Sequence, residues 1–348
     1  AWLIHEAVDS AESRALASSP PGRSGAPNVL LVVLDTVRAE SLSLYGHHRP
    51  TTPNLERLAR RGVLFTEART TAPWTAPAHG SLMTGRWPHE LSIAPGVPLD
   101  AAFPTLAEVL GDAGYATAGF VGNLNCCNAL YGMDRGFARY EDAYENQTVS
   151  IVETLWSSAL GRRVLQTIGH PMRGLNDEVE LQRKTAAMLN HDVLGWLASR
   201  PADRPFFAFI NYFDAHRPYH YYTPPESRFG KAALSADDQA ALEQMCHAAI
   251  AGQPGPSGLT PEQAGLELTE FYHDAYETCI AYVDQQFGLL VDEMERRGLL
   301  ENTLIVVTSD HGEEIGERGR LVHGASVYST EAHVPLLVIP PSGSSRAG

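Results

Sequence analysis

"NVLLVVLDT", residues 28–36, is an unbroken aliphatic run that stops at an acid. A strand with one wet face alternates apolar and polar residues, whereas a strand covered on both faces reads as continuous hydrophobics. The run therefore predicts a central parallel strand with Asp35 and Thr36 at its C-terminal tip. An ionised carboxylate there is costly unless it is paired, hydrogen-bonded or bound to a cation. A helix-capping aspartate is the ordinary alternative.

The pattern repeats outward from this strand. "TPNLERLARRG" (52–62) reads as a helix with Thr52 as cap, Pro53 in its first turn and Gly62 as stop. "FPTLAEVLGDAG" (103–114) follows the same logic and ends at Gly114. Further strands are expected in "YATAGFVGN" (115–123), "RPFFAFINYFDAH" (204–216), "NTLIVVTSDHGEE" (302–314) and "VPLLVIP" (334–340). A long amphipathic helix is expected over 267–297, with Gly298 as its stop. Strands alternating with helices give an α/β fold whose doubly wound, mostly parallel central sheet is flanked by helices. Ligands bind such sheets beyond the carboxyl ends of the strands. The polar tips Asp35–Thr36, Asp214–His216 and Asp310–His311 should therefore meet on one edge. Residues 1–27 read as a poorly ordered leader and linker, residues 28–340 as the main domain with insertions near 144–190 and 228–265, and residues 341–348 as a truncated tail.

Bulk composition agrees and narrows the function. The 348 residues are 44% hydrophobic and 19% charged, with a net charge of −15. That balance suits one large globular domain and argues against nucleic acid or an anionic membrane as the main partner. An anionic substrate stays open, because a bound cation inverts the field at one site. Cys126, Cys127, Cys246 and Cys279 form neither a disulfide framework nor a CxxC metal pair.

The second informative stretch is "TAPWTAPAHGSLMTG" (71–85). Pro77 suits a helix's first turn and Gly85 its end, so Thr75 falls at or beside the N-cap. As a plain cap it contributes about 1 kcal/mol. As a nucleophile it sits where backbone N–H groups favour negative charge, and it needs a metal to stabilise its alkoxide. His79, four residues on, shares its helix face and is placed to orient Thr75 or to donate to a substrate oxygen. Two carboxylates, an imidazole and Thr75 on one edge make a divalent-metal site of oxygen and nitrogen ligands. His216 and His323, each beside a strand end, are then candidates to bind an anionic ester or protonate its leaving group.

Seven stretches, in this order, resemble the sulfatase family of the alkaline phosphatase-like superfamily. They are "NVLLVVLDTVRAESLSLYG", "RPTTPNLERLARRGVLFTEA", "TAPAHGSLMTG", "GMDRGFARYED", "FDAHRPY", "LLENTLIVVTSDHGEE" and "HGASVYSTEAHVPLLV". The resemblance runs from about Pro27 to Pro340. It implies an alkaline phosphatase-like fold lacking its C-terminal subdomain. It also implies one divalent cation on Asp35, Thr75, Asp310 and His311, with His216 and His323 touching the ester. Calcium, manganese, zinc and magnesium all remain open, as does a second metal. By the same resemblance the protein is exported, periplasmic or membrane-anchored, with any membrane association through an N-terminal anchor upstream.

The departures change the expected chemistry. The family's Cys-x-Pro-x-Arg or Ser-x-Pro-x-Arg reads Thr75-Ala76-Pro77-Ala78-His79 here, so no formylglycine is expected. A sulfated threonine has no hydroxyl with which to expel sulfate; a phosphorylated threonine is released by attack on phosphorus. Thr36 stands where many sulfatases have another metal-binding Asp, and Asn123 where a Lys and His often lie. The sequence reading is a metal-dependent hydrolase of sulfate or, preferentially, phosphate esters, acting through Thr75. Its alternatives are a phosphoglycerol- or phosphoethanolamine-type transferase on the same fold, and a non-catalytic binding member.

Overall fold

The computed structural model describes residues 2–23, 25–94, 96–142, 183–219, 229, 261–320 and 323–343. A seven-stranded sheet organises them. Its strands are β1 (Asn28–Leu34), β2 (Val63–Phe65), β3 (Ala116–Val121), β4 (Arg139–Glu141), β5 (Phe206–Tyr212), β6 (Thr303–Thr308) and β7 (Leu336–Ile339). The order is β2-β7-β6-β1-β5-β3-β4. β1 lies parallel to both β5 and β6, and β3 parallel to β4 and β5; only β7 runs antiparallel to its neighbours β6 and β2. The strand expected from residues 28–36 is therefore central.

Its continuous apolar run has the cause inferred. Leu30, Val32 and Leu34 pack on one face with Trp196, Tyr276, Phe287 and Met294; Leu31 and Val33 pack on the other with Met83, Ala107 and Phe209. The first face is covered by α1 (Trp2–Ser18), α2 (Pro53–Ala59), α5 (Ala186–Ser199) and α6 (Pro261–Arg296), the second by α3 (Thr75–Thr84) and α4 (Leu106–Asp112). Cys126, Cys127 and Cys279 form no disulfide among the described residues; Cys246 lies outside the described residues.

Three expectations need correction. The stretch read as a leader carries helix α1, docked by Leu16 in the core and by Glu12, which accepts the Trp196 indole N–H at 2.7 Å. Small residues and prolines near its end hid the helix. The insertions expected near 144–190 and 228–265 fall mostly outside the described residues, but 183–190 and 261–265 belong to or lead into α5 and α6. Thr52 flanks α2 but makes no side-chain cap. Asp284 of α6 caps it instead, accepting from the Asn54 and Leu55 backbone N–H groups at 2.9 Å each and from Asn54 Nδ2 at 3.0 Å. Asp284→Ala strands those buried donors, so a loss of about 2 kcal/mol is expected in urea unfolding.

Candidate active site

The site forms where the sheet's topology says it should. Asp35 leaves the tip of β1, Asp310 and His311 leave β6, and α3 starts against them with Thr75 as its first residue. Thr75 is 1% exposed, and Asp35 and His311 are fully buried. One carboxylate oxygen of each acid is committed to the protein. Asp35 Oδ2 accepts from Asn123 Nδ2 (3.1 Å) and Asn211 Nδ2 (3.0 Å). Asp310 Oδ1 accepts from the Thr36 and His311 N–H groups at 3.1 and 2.9 Å. The other two oxygens, Asp35 Oδ1 and Asp310 Oδ2, are buried without a hydrogen-bond donor.

His311 faces the same space. Its Nδ1 donates to the Gly312 carbonyl at 2.9 Å, which leaves the Nε2 lone pair pointing at Thr75 Oγ1, 3.2 Å away. Asp310 Oδ2 lies 3.3 Å from that nitrogen. Ligand atoms of Asp35, Asp310 and His311 all fall within 4.8 Å of one another. Burial holds His311 down to about 4, so it is a neutral donor. Burial and the neighbouring Asp310 push Asp35 well above the usual carboxylate range, against the two asparagine donors. Two buried carboxylate oxygens without a hydrogen-bond donor are what a cation would relieve. The fit to a divalent metal therefore stands on the orphaned oxygens and the free imidazole lone pair.

The remaining candidates separate by position. His79, fully buried, donates from Nδ1 to the Thr75 carbonyl at 2.9 Å, stands 3.5 Å from Asp310 Oδ2, and has Asn211 at 3.4 Å from Nε2. It holds the backbone carbonyl of Thr75 from within the same helix. His216 and His323 meet at the mouth, ring centroids 5.1 Å apart, and His323 lies 4.4 Å from the His311 ring. Their environments differ. Burial, with His323 and Arg183 nearby, lowers His216 well below its ordinary value. Burial also works against charge on His323, but Glu313 at 3.1 Å, with Asp35 and Asp310, raises it to about 9. His323 is thus the more basic of the two imidazoles.

Asp214, expected on this edge, faces away from it. Both its oxygens accept from the Ala186 N–H, at 3.2 and 3.0 Å, at the start of α5. Burial lifts it from 3.8 to about 7. The folded state therefore binds the proton more tightly than the unfolded chain, and stability falls as pH rises from about 4 to about 7. Asp214→Asn should remove that slope, which is at most about 1.4 kcal/mol per pH unit. Urea unfolding of the two proteins at pH 4, 6 and 8 checks it.

Thr36 also points elsewhere. It takes a left-handed backbone (φ 61°), unusual for a β-branched residue, and its hydroxyl faces the Asp35 and Ala215 carbonyls. Tyr276 of α6 braces the turn by donating to the Thr36 carbonyl at 2.8 Å. Asn211, Glu313 and Tyr276 were not foreseen. Asn211 had a signal, a polar residue inside the apolar run of β5; the others had none.

Known proteins place this geometry in context. The sulfatase family model matches residues 27–347. An uncharacterised sulfatase, YidJ, of Escherichia coli K12 is 26% identical over 351 residues, covering 92% of this chain and 64% of its own length. A choline-sulfatase of Rhizobium meliloti is 25% identical, covering 91% of this chain and 63% of its own. This chain thus spans under two thirds of these relatives. Among solved structures, a phosphonate monoester hydrolase of Agrobacterium radiobacter superposes with a TM-score of 0.64 at 23% identity, covering 90% of this chain and 68% of its own. The lipooligosaccharide phosphoethanolamine transferase A of Neisseria meningitidis gives 0.60 at 18%, covering 94% and 51%. Both likenesses bear on the fold.

Proposed function

The chain belongs to the sulfatase family, and on that premise we propose that it cleaves phosphate or phosphonate esters by covalent attack from Thr75. The observation that carries this is Thr75 itself: a threonine hydroxyl at the first position of α3, 3.2 Å from His311 Nε2 and beside two unpartnered carboxylate oxygens. Asp35, Thr75, Asp310 and His311 would hold a divalent cation, which supplies the positive charge that acidifies the hydroxyl and offsets charge on the ester.

The chain's own groups account for the rest. The N-terminal amides of α3 favour negative charge around Thr75, and His79 fixes the carbonyl behind it. Thr75 Oγ1, its proton lost to solvent, bonds to phosphorus as the bond to the leaving oxygen breaks. Cationic His323 gives that oxygen its proton. Water then attacks phosphorus, freeing Thr75 and phosphate and returning a proton to His323. Neutral His216 offers an acceptor to the protonated oxygens at the mouth. A sulfated threonine has no comparable release, which favours phosphorus over sulfur. The fitting partner is an anionic ester. Among the described residues no helix is long and apolar enough to cross a membrane.

Rapid quenching during turnover of 4-nitrophenyl phosphate with manganese tests the mechanism. A phosphoryl adduct mapping to Thr75 is expected. Phosphoryl passing to an added alcohol rather than to water would mark a transferase. Sulfatase turnover that survives Thr75→Ala would overturn the nucleophile, and failure on every ester would leave a binding protein.

A further inference from the structure

We propose that Glu313 is the positioning residue for His323, aiming its Nε2 at the leaving oxygen. The proposal rests on the ester-cleaving reading above.

Glu313 is buried (3% exposed), and both its oxygens lie within reach of His323 Nδ1, at 3.1 and 3.2 Å. A carboxylate can only accept here, so Nδ1 carries the proton and the opposite ring edge is left for the site. The backbone of Glu313 is itself held. It follows β6 two residues after His311, and its backbone carbonyl accepts from Arg38 Nη1 at 3.1 Å.

The loop that carries His323 does not need this pair to stay in place. Glu331, fully buried, accepts the Gly324 N–H at 2.6 Å and a hydrogen bond from Ser326. Ser326 also reaches Glu314 at 3.2 Å. Main chain and ring are thus held by different carboxylates. What remains for Glu313 is the ring, whose centroid lies 4.4 Å from that of His311 with the ring planes tilted by 35°. An imidazole released from Glu313 would turn about its side-chain bonds and lose its aim without unfolding the loop.

The leaving group provides the readout. A 4-nitrophenolate departs without a proton, whereas an alkoxide needs one, and general acid catalysis is worth roughly 10²–10⁴-fold. With manganese-loaded enzyme, Glu313→Gln should lower kcat/KM on an alkyl phosphate by about 100-fold and on 4-nitrophenyl phosphate by less than about threefold. Melting temperature and bound manganese should stay unchanged. In a His323→Gln background the Glu313 change should cost nothing more. Equal losses on both esters, or additive losses in the double variant, would overturn the proposal. If Glu313→Gln does not fold, Glu313→Asp is read by the same ratio. Wild-type enzyme inactive on both esters would instead overturn the ester-cleaving reading.

Discussion

Thr75→Ala is expected to lower kcat/KM on phosphate esters by at least about 10⁴-fold, the scale on which enzymes lose a covalent nucleophile. The protein should stay folded. Thr75 makes no side-chain cap on α3, whose N-cap is Trp74, so the substitution removes a hydroxyl and a methyl from a helix start. Alanine is an excellent helix former there. The metal should also stay bound, since Asp35, Asp310 and His311 remain. Steady-state kinetics, circular dichroism and metal content measured together separate this from misfolding. Thr75→Ser keeps the hydroxyl and should keep a covalent adduct. An alanine variant that still turns over would remove Thr75 from the mechanism.

Stripping the metal is expected to lower the melting temperature of the wild-type protein by several degrees and to abolish turnover. A cation that binds only the folded state at about 100 times its dissociation constant adds about 2.7 kcal/mol. The same site makes a less obvious prediction for Asp35→Asn. In the metal-free protein Asp35 and Asp310 repel within a buried pocket, and burial disfavours the Asp35 charge further. Removing that charge should raise the melting temperature of the metal-free variant above that of metal-free wild type. With manganese added the order should reverse, because the variant loses a ligand. The weakening should exceed the roughly 10–100-fold typical of an outer partner. Calorimetry of both proteins with and without manganese checks the crossing. A metal-free variant less stable than wild type would mean that Asp35 is held by something other than the missing cation.

The strand tips were legible because burial on both faces leaves a mark in sequence. Val29 to Leu34 can be continuously apolar only if helices cover both sides, and a carboxylate ending such a run needs a reason. The same argument found Asp310 and His311. It failed for Asp214, which also follows an apolar run but turns to the start of α5. A strand tip fixes which edge a residue reaches, not the direction of its side chain. The cap of α2 was misassigned for a related reason. Thr52 has the local chemistry of a cap, yet Asp284, over two hundred residues later, takes the donors. β2 and β4 are three residues each, too short for a period to show. Glu313 looked like one acid in an acidic run until the fold set it against His323.

The groups that shape the pocket lie far apart along the chain. The Thr36 N–H and Asp310 Oδ1 that it reaches are 274 positions apart, and Thr75 and His311 are 236 apart. During synthesis at roughly 5–20 residues per second, the second half of the pocket follows the first by some tens of seconds. Over that interval Asp35 and Thr75 sit on a chain whose central strand still lacks its β6 neighbour. Contacts so distant also make for slow folding. A ribosome-bound chain ending before β6 cannot capture the cation through this pocket. A cation held by this pocket would therefore load late, set by the availability of the ion where folding finishes rather than where translation starts.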